Sequence, residues 1–267
     1  MNIFIYDNTF EGLLSSVFYA FDTKIFPHKI VGNGSIQNDL FAEKYTIYTN
    51  TEQAKRVWTG LQKKTSKLIC QKIYRCFLSE LEEMPTLLFK YIQLCFNSTS
   101  TSFDTDYSNP IVLELNNIYK KVCMEGHRAL MFIRFQKTSD GIYFAPFEPA
   151  FNVLPLVTKH FKQRLPDQQW IIYDTMRNYG FHYDLHEVKK IQLHPEMVNL
   201  ISGKINKAIT DENELDYQEL WNDYFNTVNI KERKNDKVHK QFLPKRFWKY
   251  LPEKNYSFYH EEITEKK

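Results

Sequence analysis

Trp170-Ile-Ile-Tyr-Asp-Thr-Met-Arg-Asn-Tyr-Gly-Phe-His-Tyr-Asp184 is the stretch that decides the fold class. Trp170 to Tyr173 is a short run of β-branched and aromatic residues, and Phe181 to Asp184 alternates apolar with polar, so both read as strands. Arg177-Asn-Tyr-Gly180 supplies the turn between them. Upstream, Leu130 to Phe135 and Ile142 to Ala145 read as two more strands joined through Asp140-Gly141, a good hairpin turn. A helix is expected over about 153–164. Downstream, Asp216 with Glu219 three residues on resembles a capping box ahead of Tyr217, Leu220, Trp221, Tyr224, Phe225 and Val228, a strongly amphipathic helix.

Toward the N-terminus the period changes. Asn2 to Tyr6 reads as a strand running through Asp7-Asn8-Thr9 into a helix that carries Phe10, Leu13, Leu14, Val17, Phe18 and Phe21. Residues 27–40, with Pro27, Gly32 and Gly34, read as loop. Helical patterns follow at about 51–64, 67–82, 85–97 and 110–124. The last sets Ile111, Leu115, Ile118 and Val122 on one face behind Pro110 in the first turn. The polar stretch 97–109 reads as a linker. The sum is an α+β protein, predominantly helical with a small antiparallel β-sheet. One domain is expected over 1–254, with a helical half over about 1–128, an α+β half over about 129–254, and a polar C-terminal tail over 255–267.

Composition bounds the rest. In 267 residues, 43% hydrophobic and 16% aromatic content is ample for a core, and 25% charged is ordinary for a soluble chain. No run approaches the roughly 18 apolar residues a membrane span needs. The first residues lack the basic region and cleavage site of a signal peptide, so a cytoplasmic protein is expected. Cys70, Cys76, Cys95 and Cys123 have no Cys-x-x-Cys spacing and sit in helical apolar patterns, which reads as reduced thiols. No metal site and no cofactor motif is assigned. Val31-Gly-Asn-Gly-Ser35 lacks the third glycine and the lysine of a phosphate cradle.

Charge is concentrated at 231–254, where nine Lys or Arg stand against three acids, a balance of +6 in a chain of +3 overall. Phe242, Phe247, Trp248 and Tyr250 are interleaved with those cations. Cations neutralise phosphates and rings offer faces for bases, so Arg233, Lys234, Lys245, Arg246 and Lys249 are candidate nucleic-acid contacts. A solvated face with its aromatics in the core explains the same pattern. If the segment is helical, Phe247, Trp248 and Leu251 share an apolar face, with Trp248 the anchor and Lys249 outward.

Asp174 and Arg177 are the candidate catalytic pair. A carboxylate ending an apolar strand beside an arginine in the turn can accept a proton or position water, while the arginine holds a phosphate or a base carbonyl. The same two residues equally suit an ion pair that pins the turn. His182, Asp184 and His186 share one strand face, which a metal or plain solvent would satisfy. Glu11 and Glu148 are lone acids. Arg134, in an apolar run, either points to solvent or pairs with a buried acid, Glu148 being the natural candidate if its strand packs alongside.

Four stretches carry a family resemblance: Tyr6-Asp-Asn-Thr-Phe-Glu-Gly-Leu-Leu14, Arg134-Phe-Gln-Lys137 with Phe144-Ala-Pro-Phe-Glu-Pro149 and Asn152-Val-Leu-Pro-Leu156, Trp170 to Gly180, and Phe242-Leu-Pro-Lys-Arg-Phe-Trp-Lys-Tyr-Leu-Pro-Glu253. Together they resemble the DUF4130 family across nearly the whole chain, although Asp7-Asn8 stands where the family has Asp-Gly. The resemblance implies a DNA metabolism or repair protein encoded beside a radical SAM partner, in a family whose domain is also fused to uracil-DNA glycosylase domains. Any iron–sulfur cluster is then expected in the partner. It assigns no reaction, so three functions stay open: a nucleic-acid binder of DNA metabolism that acts with the radical SAM partner, a glycosylase-like hydrolase using Asp174, or a protein–protein module for that partner.

Overall fold

The computed structural model describes residues 1–34, 42–98, 100–193, 198–199, 204–205, 210–233 and 235–254. Ser35, the nucleic-acid candidate Lys234 and the expected tail at 255–267 lie outside the described residues. The chain divides into two units, Met1–Met124 and Glu125–Lys267. Helices predominate, so the class is α+β.

The first unit opens on β1 (Asn2–Tyr6) and α1 (Phe10–Thr23). The Thr9 hydroxyl caps α1 by accepting the Gly12 amide at 2.9 Å. Short strands β2 (Lys29–Gly32) and β3 (Glu43–Thr46) flank β1 on either side, both parallel to it. β2 therefore occupies part of the expected 27–40 loop. Four residues, two of them only half-buried, give too weak a period for a strand to be recognised from sequence. Helices α2 (Thr51–Lys64), α3 (Lys67–Phe77), α4 (Met84–Asn97) and α5 (Pro110–Phe132) follow. The polar stretch 97–109 is more than a solvated linker. Its Asp104 is buried and receives Lys72 Nζ at 2.6 and 2.7 Å, and Lys72 also donates to Asn116 Oδ1 at 2.6 Å. A buried lysine is tolerable only with such partners. The four cysteines are free thiols.

The second unit contains the C-terminal part of α5, then β4 (Gln136–Lys137), β5 (Tyr143–Phe147), α6 (Leu154–Arg164), β6 (Trp170–Asp174), β7 (Tyr179–Tyr183) and β8 (Val188–Ile191). After the two-stranded ribbon of β9 (Val198–Asn199) and β10 (Lys204–Ile205) come α7 (Glu214–Val228), a 3-10 turn at Lys231–Arg233, α8 (Asp236–Phe242) and a 3-10 stretch, Lys245–Tyr250. The five strands β4 to β8 lie in chain order. The sheet is mixed rather than antiparallel, because β5 and β6 run parallel while the other neighbours oppose. A parallel pair needs a crossover, and α6 supplies it.

Three further sequence expectations are corrected. Leu130 to Phe132 belongs to α5, whose Ala129 is buried along with Ile133 just past its end, and Arg134 closes the helix by donating to the Met131 and Ile133 carbonyls at 2.8 and 3.3 Å. The Asp140-Gly141 turn does join β4 to β5, with Gly141 at φ 83°. The capping box at Asp216 falls inside α7, which begins earlier because Glu214 turns inward to accept the Lys137 amide at 2.9 Å. Finally, α7 buries the polar residues Glu214, Gln218 and Asn222 and exposes its apolar stripe. Among the described residues no helix is long and apolar enough to cross a membrane.

Candidate functional site

The parallel register of β5 and β6 sets Phe147 beside Asp174, so two strands end together. Asp174 is fully buried. Its Oδ1 accepts the backbone amides of Met176 and Arg177, both at 3.0 Å, and its Oδ2 receives Arg177 Nη1 at 2.9 Å. Arg177 also donates to the Pro149 and Ala150 carbonyls at 3.1 and 3.2 Å, which ties the segment after β5 to the turn after β6. Burial raises the Asp174 pKa; the Arg177 charge and the donated hydrogen bonds oppose that rise without cancelling it. The turn closes through Asn178 at φ 52°. It re-enters β7 at Gly180, where a Cβ would sit 2.5 Å from the Ile172 carbonyl oxygen. The candidate catalytic pair is thus brought together, and its hydrogen bonds are those of a turn clamp.

The C-terminal segment packs onto the same strand ends. Phe247 is fully buried and stacks on Phe147, with ring centroids 4.8 Å apart and 9° between planes. Tyr250 Oη lies 2.9 Å from Thr175 Oγ1 and 3.1 Å from Glu148 Oε2. Lys249 pairs with that same Glu148 carboxylate. Burial works against the Lys249 ammonium, but its bonds to Glu148 and Tyr250 outweigh this and raise its pKa. Arg246 Nη2 meets both oxygens of Glu125, which is 1% exposed, and Glu125 Oε1 also accepts the Ala150 amide at 2.7 Å. Tyr179 donates its hydroxyl to Asn152 Oδ1.

Two side-chain expectations change. Arg134 pairs with Glu253 at 3.1 Å and lies 5.7 Å over the Trp221 ring, while Glu148 goes to Lys249 instead. Trp248 is only half-buried, donating Nε1 to the Leu243 carbonyl at 3.1 Å, and the anchor is its neighbour Phe247. The reason is helix type. A 3-10 stretch has three residues per turn, so the inward positions shift to Phe247 and Tyr250. Lys249 is part-buried in its ion pair rather than outward.

The candidate nucleic-acid residues separate accordingly. Arg246 and Lys249 are locked to buried or half-buried acids. Lys245 and Arg233 are exposed. Between them α8, capped by Asn235 Oδ1 accepting the Val238 amide at 3.1 Å, exposes Lys237 and Lys240, with Phe242 65% exposed at its end. Sequence reasoning counts Lys237 and Lys240 in the basic segment without singling them out; their only signal is charge with no apolar period.

The remaining candidates are spread out. Asp184 accepts the His186 and Glu187 amides at 3.0 and 2.8 Å and pairs with Lys189 at 3.2 Å, and those bonds depress its pKa. It closes the turn from β7 to β8. Among the described residues no group of three or more His, Cys, Asp or Glu is placed to hold a metal. Glu11 lies in the first turn of α1, where a carboxylate suits the helix dipole.

Of the stretches that carry the resemblance, those in the second unit meet here. Arg134 reaches Glu253, Glu148 reaches Lys249 and Tyr250, Asn152 reaches Tyr179, Thr175 reaches Tyr250 and Phe147 reaches Phe247. The profile of DUF4130, a domain of unknown function, matches residues 82–253, more than half of the chain. No curated protein matches the chain.

Proposed function

We propose, from the premise that this chain belongs to the DUF4130 family, that it is a nucleic-acid-binding protein of DNA metabolism whose contact surface is the exposed basic face of Arg233, Lys237, Lys240 and Lys245. The observation that carries this reading is the exposure of these four cations together with the Phe242 ring. Exposed cations release counter-ions from the phosphates they meet, and an exposed ring offers stacking to an unpaired base without sequence preference. Arg246 and Lys249 have a different part in it. They neutralise Glu125 and Glu148 and hold the 3-10 stretch in place, so that Lys245 is presented from a fixed backbone.

Asp174 and Arg177 belong to that support. A carboxylate with no exposed surface, whose oxygens already receive two amides and a guanidinium, suits shaping the strand ends better than attacking a substrate. The hydrolase reading would require this turn to open. The radical SAM partner remains in the proposal on the strength of the resemblance over residues 6–253. Fluorescence anisotropy of labelled single-stranded and duplex DNA, titrated at low and then rising salt, tests the reading. Salt-sensitive binding with little sequence preference is expected, and no binding to either form at low salt would refute it.

A further inference from the structure

Helix α7 is inside out. Its buried side is polar: Glu214 accepts the Lys137 amide, while Gln218 Nε2 and Asn222 Nδ2 bond back along the helix to Glu214 Oε1 and the Gln218 carbonyl, both at 2.9 Å. Its solvent side carries Tyr217 (64% exposed), Leu220 (64%), Tyr224 (59%) and Val228 (52%). These stand at i, i+3, i+7 and i+11, one continuous apolar stripe. A stripe of this kind left in water marks an interaction site. Residues 210–228 contain six acids and no Lys, Arg or His, and Asp216, Glu219 and Asp223 are exposed on this helix.

That charge disfavours the simplest occupant, a second α7. Two copies of the stripe face to face would set acidic flank against acidic flank, which destabilises a helix pair. The complement lies elsewhere on the same chain. On α8, Val238 (44%) and Phe242 (65%) are exposed at i and i+4, beside exposed Lys237 and Lys240. One helix is apolar and acidic, the other apolar and basic.

We infer that the chain forms a two-fold dimer in which the Tyr217–Val228 stripe of α7 packs on the Val238–Phe242 face of α8 from a second copy, and the reverse. A two-fold axis makes each contact twice, so a modest α8 surface contributes doubly. The dimer stands independently of the nucleic-acid reading, although both use α8. DNA and the second copy therefore compete for it, and DNA dissociates the dimer.

Sedimentation velocity of the full chain across micromolar concentrations, first without DNA, is the test. Dimer at low salt that loosens as salt rises is expected. Leu220→Glu, at an exposed position, leaves a folded monomer by circular dichroism that binds DNA at least as tightly as wild type, because no second copy competes for α8. Asp223→Lys and Lys240→Glu each weaken the dimer by roughly tenfold through like-charge contact. An equimolar mixture of those two variants restores it, because in the mixed dimer each α7 again faces an α8 of opposite charge. A monomer at every concentration in low salt, a dimer indifferent to Leu220→Glu, or a mixture no tighter than its components would each overturn the inference. A monomer that still binds DNA would overturn the dimer and leave the nucleic-acid reading standing.

Discussion

Arg246 Nη2 lies 2.7 and 2.6 Å from the two carboxylate oxygens of Glu125, a side chain buried in the second unit. This one contact changes the meaning of the basic segment. A guanidinium that neutralises a buried carboxylate is committed to the fold, because without it the acid would be left in low dielectric with one amide and the more distant Arg128 at 3.4 Å. Among the described cations of the basic segment, those left exposed to an external polyanion are then the ones on α8 and its flanks.

Arg246→Ala should therefore destabilise, not merely weaken binding. A fully buried pair costs about 3–5 kcal/mol when one partner is removed; Arg246 is a third exposed, so about 2–3 kcal/mol is expected. Chemical denaturation measures it. Affinity for DNA per folded molecule should stay within a few-fold of wild type, and a collapse of affinity at unchanged stability would show that Arg246 is a contact.

Phe247 and Trp248 should differ in the opposite sense to their size. Phe247→Ala removes a fully buried ring stacked on Phe147 and should cost about 3–5 kcal/mol. Trp248→Ala removes a half-buried ring and one hydrogen bond to Leu243, for about 1–2 kcal/mol. Thermal melts of the two variants decide the order, and a larger loss for Trp248 would contradict the packing.

Asp174→Asn separates burial from pairing through pH. The folded Asp174 pKa is raised above its ordinary value of 3.8, so the folded state holds this proton more tightly than the unfolded chain. Its contribution to stability is present below that value and is lost as pH rises through the folded pKa. Asparagine keeps an oxygen for the Met176 and Arg177 amides and does not ionise. Relative to wild type, the variant should gain stability as pH rises from about 3.5 to 7. A relative loss over that range would mean that the Arg177 charge outweighs burial.

Asp174→Ala, by contrast, strands the Met176 and Arg177 amides and takes the carboxylate from a guanidinium that still reaches the Pro149 and Ala150 carbonyls. A loss of about 3–5 kcal/mol is expected from calorimetry, as for other buried pairs broken on one side. An Ala variant as stable as wild type would remove the turn-clamp account and return weight to a reactive Asp174.

The long elements are legible because their signals are local. Thr51–Lys64, Pro110 as a helix start, the strand Trp170–Asp174 and the Asp140-Gly141 turn all follow from period, caps and turn chemistry. The parallel pairing of β5 with β6 is not legible, since strand direction depends on which strands become neighbours across α6. Asp174 and Arg177 stand out as a pair, but whether a carboxylate faces solvent or the sheet depends on tertiary burial. The inversion of α7 is the least readable feature. Its period is strong, and only the buried Glu214–Gln218–Asn222 ladder reveals which side faces in.

The salt dependence of DNA binding tests the central claim most directly. The slope of log affinity against log salt should fall by about 2–3 when Lys237, Lys240 and Lys245 are all changed to Glu, and remain near wild type in Lys249→Gln, whose ammonium is paired with Glu148. An unchanged slope in the triple variant, or a lost slope confined to Lys249→Gln, would contradict the assignment of the nucleic-acid surface to α8.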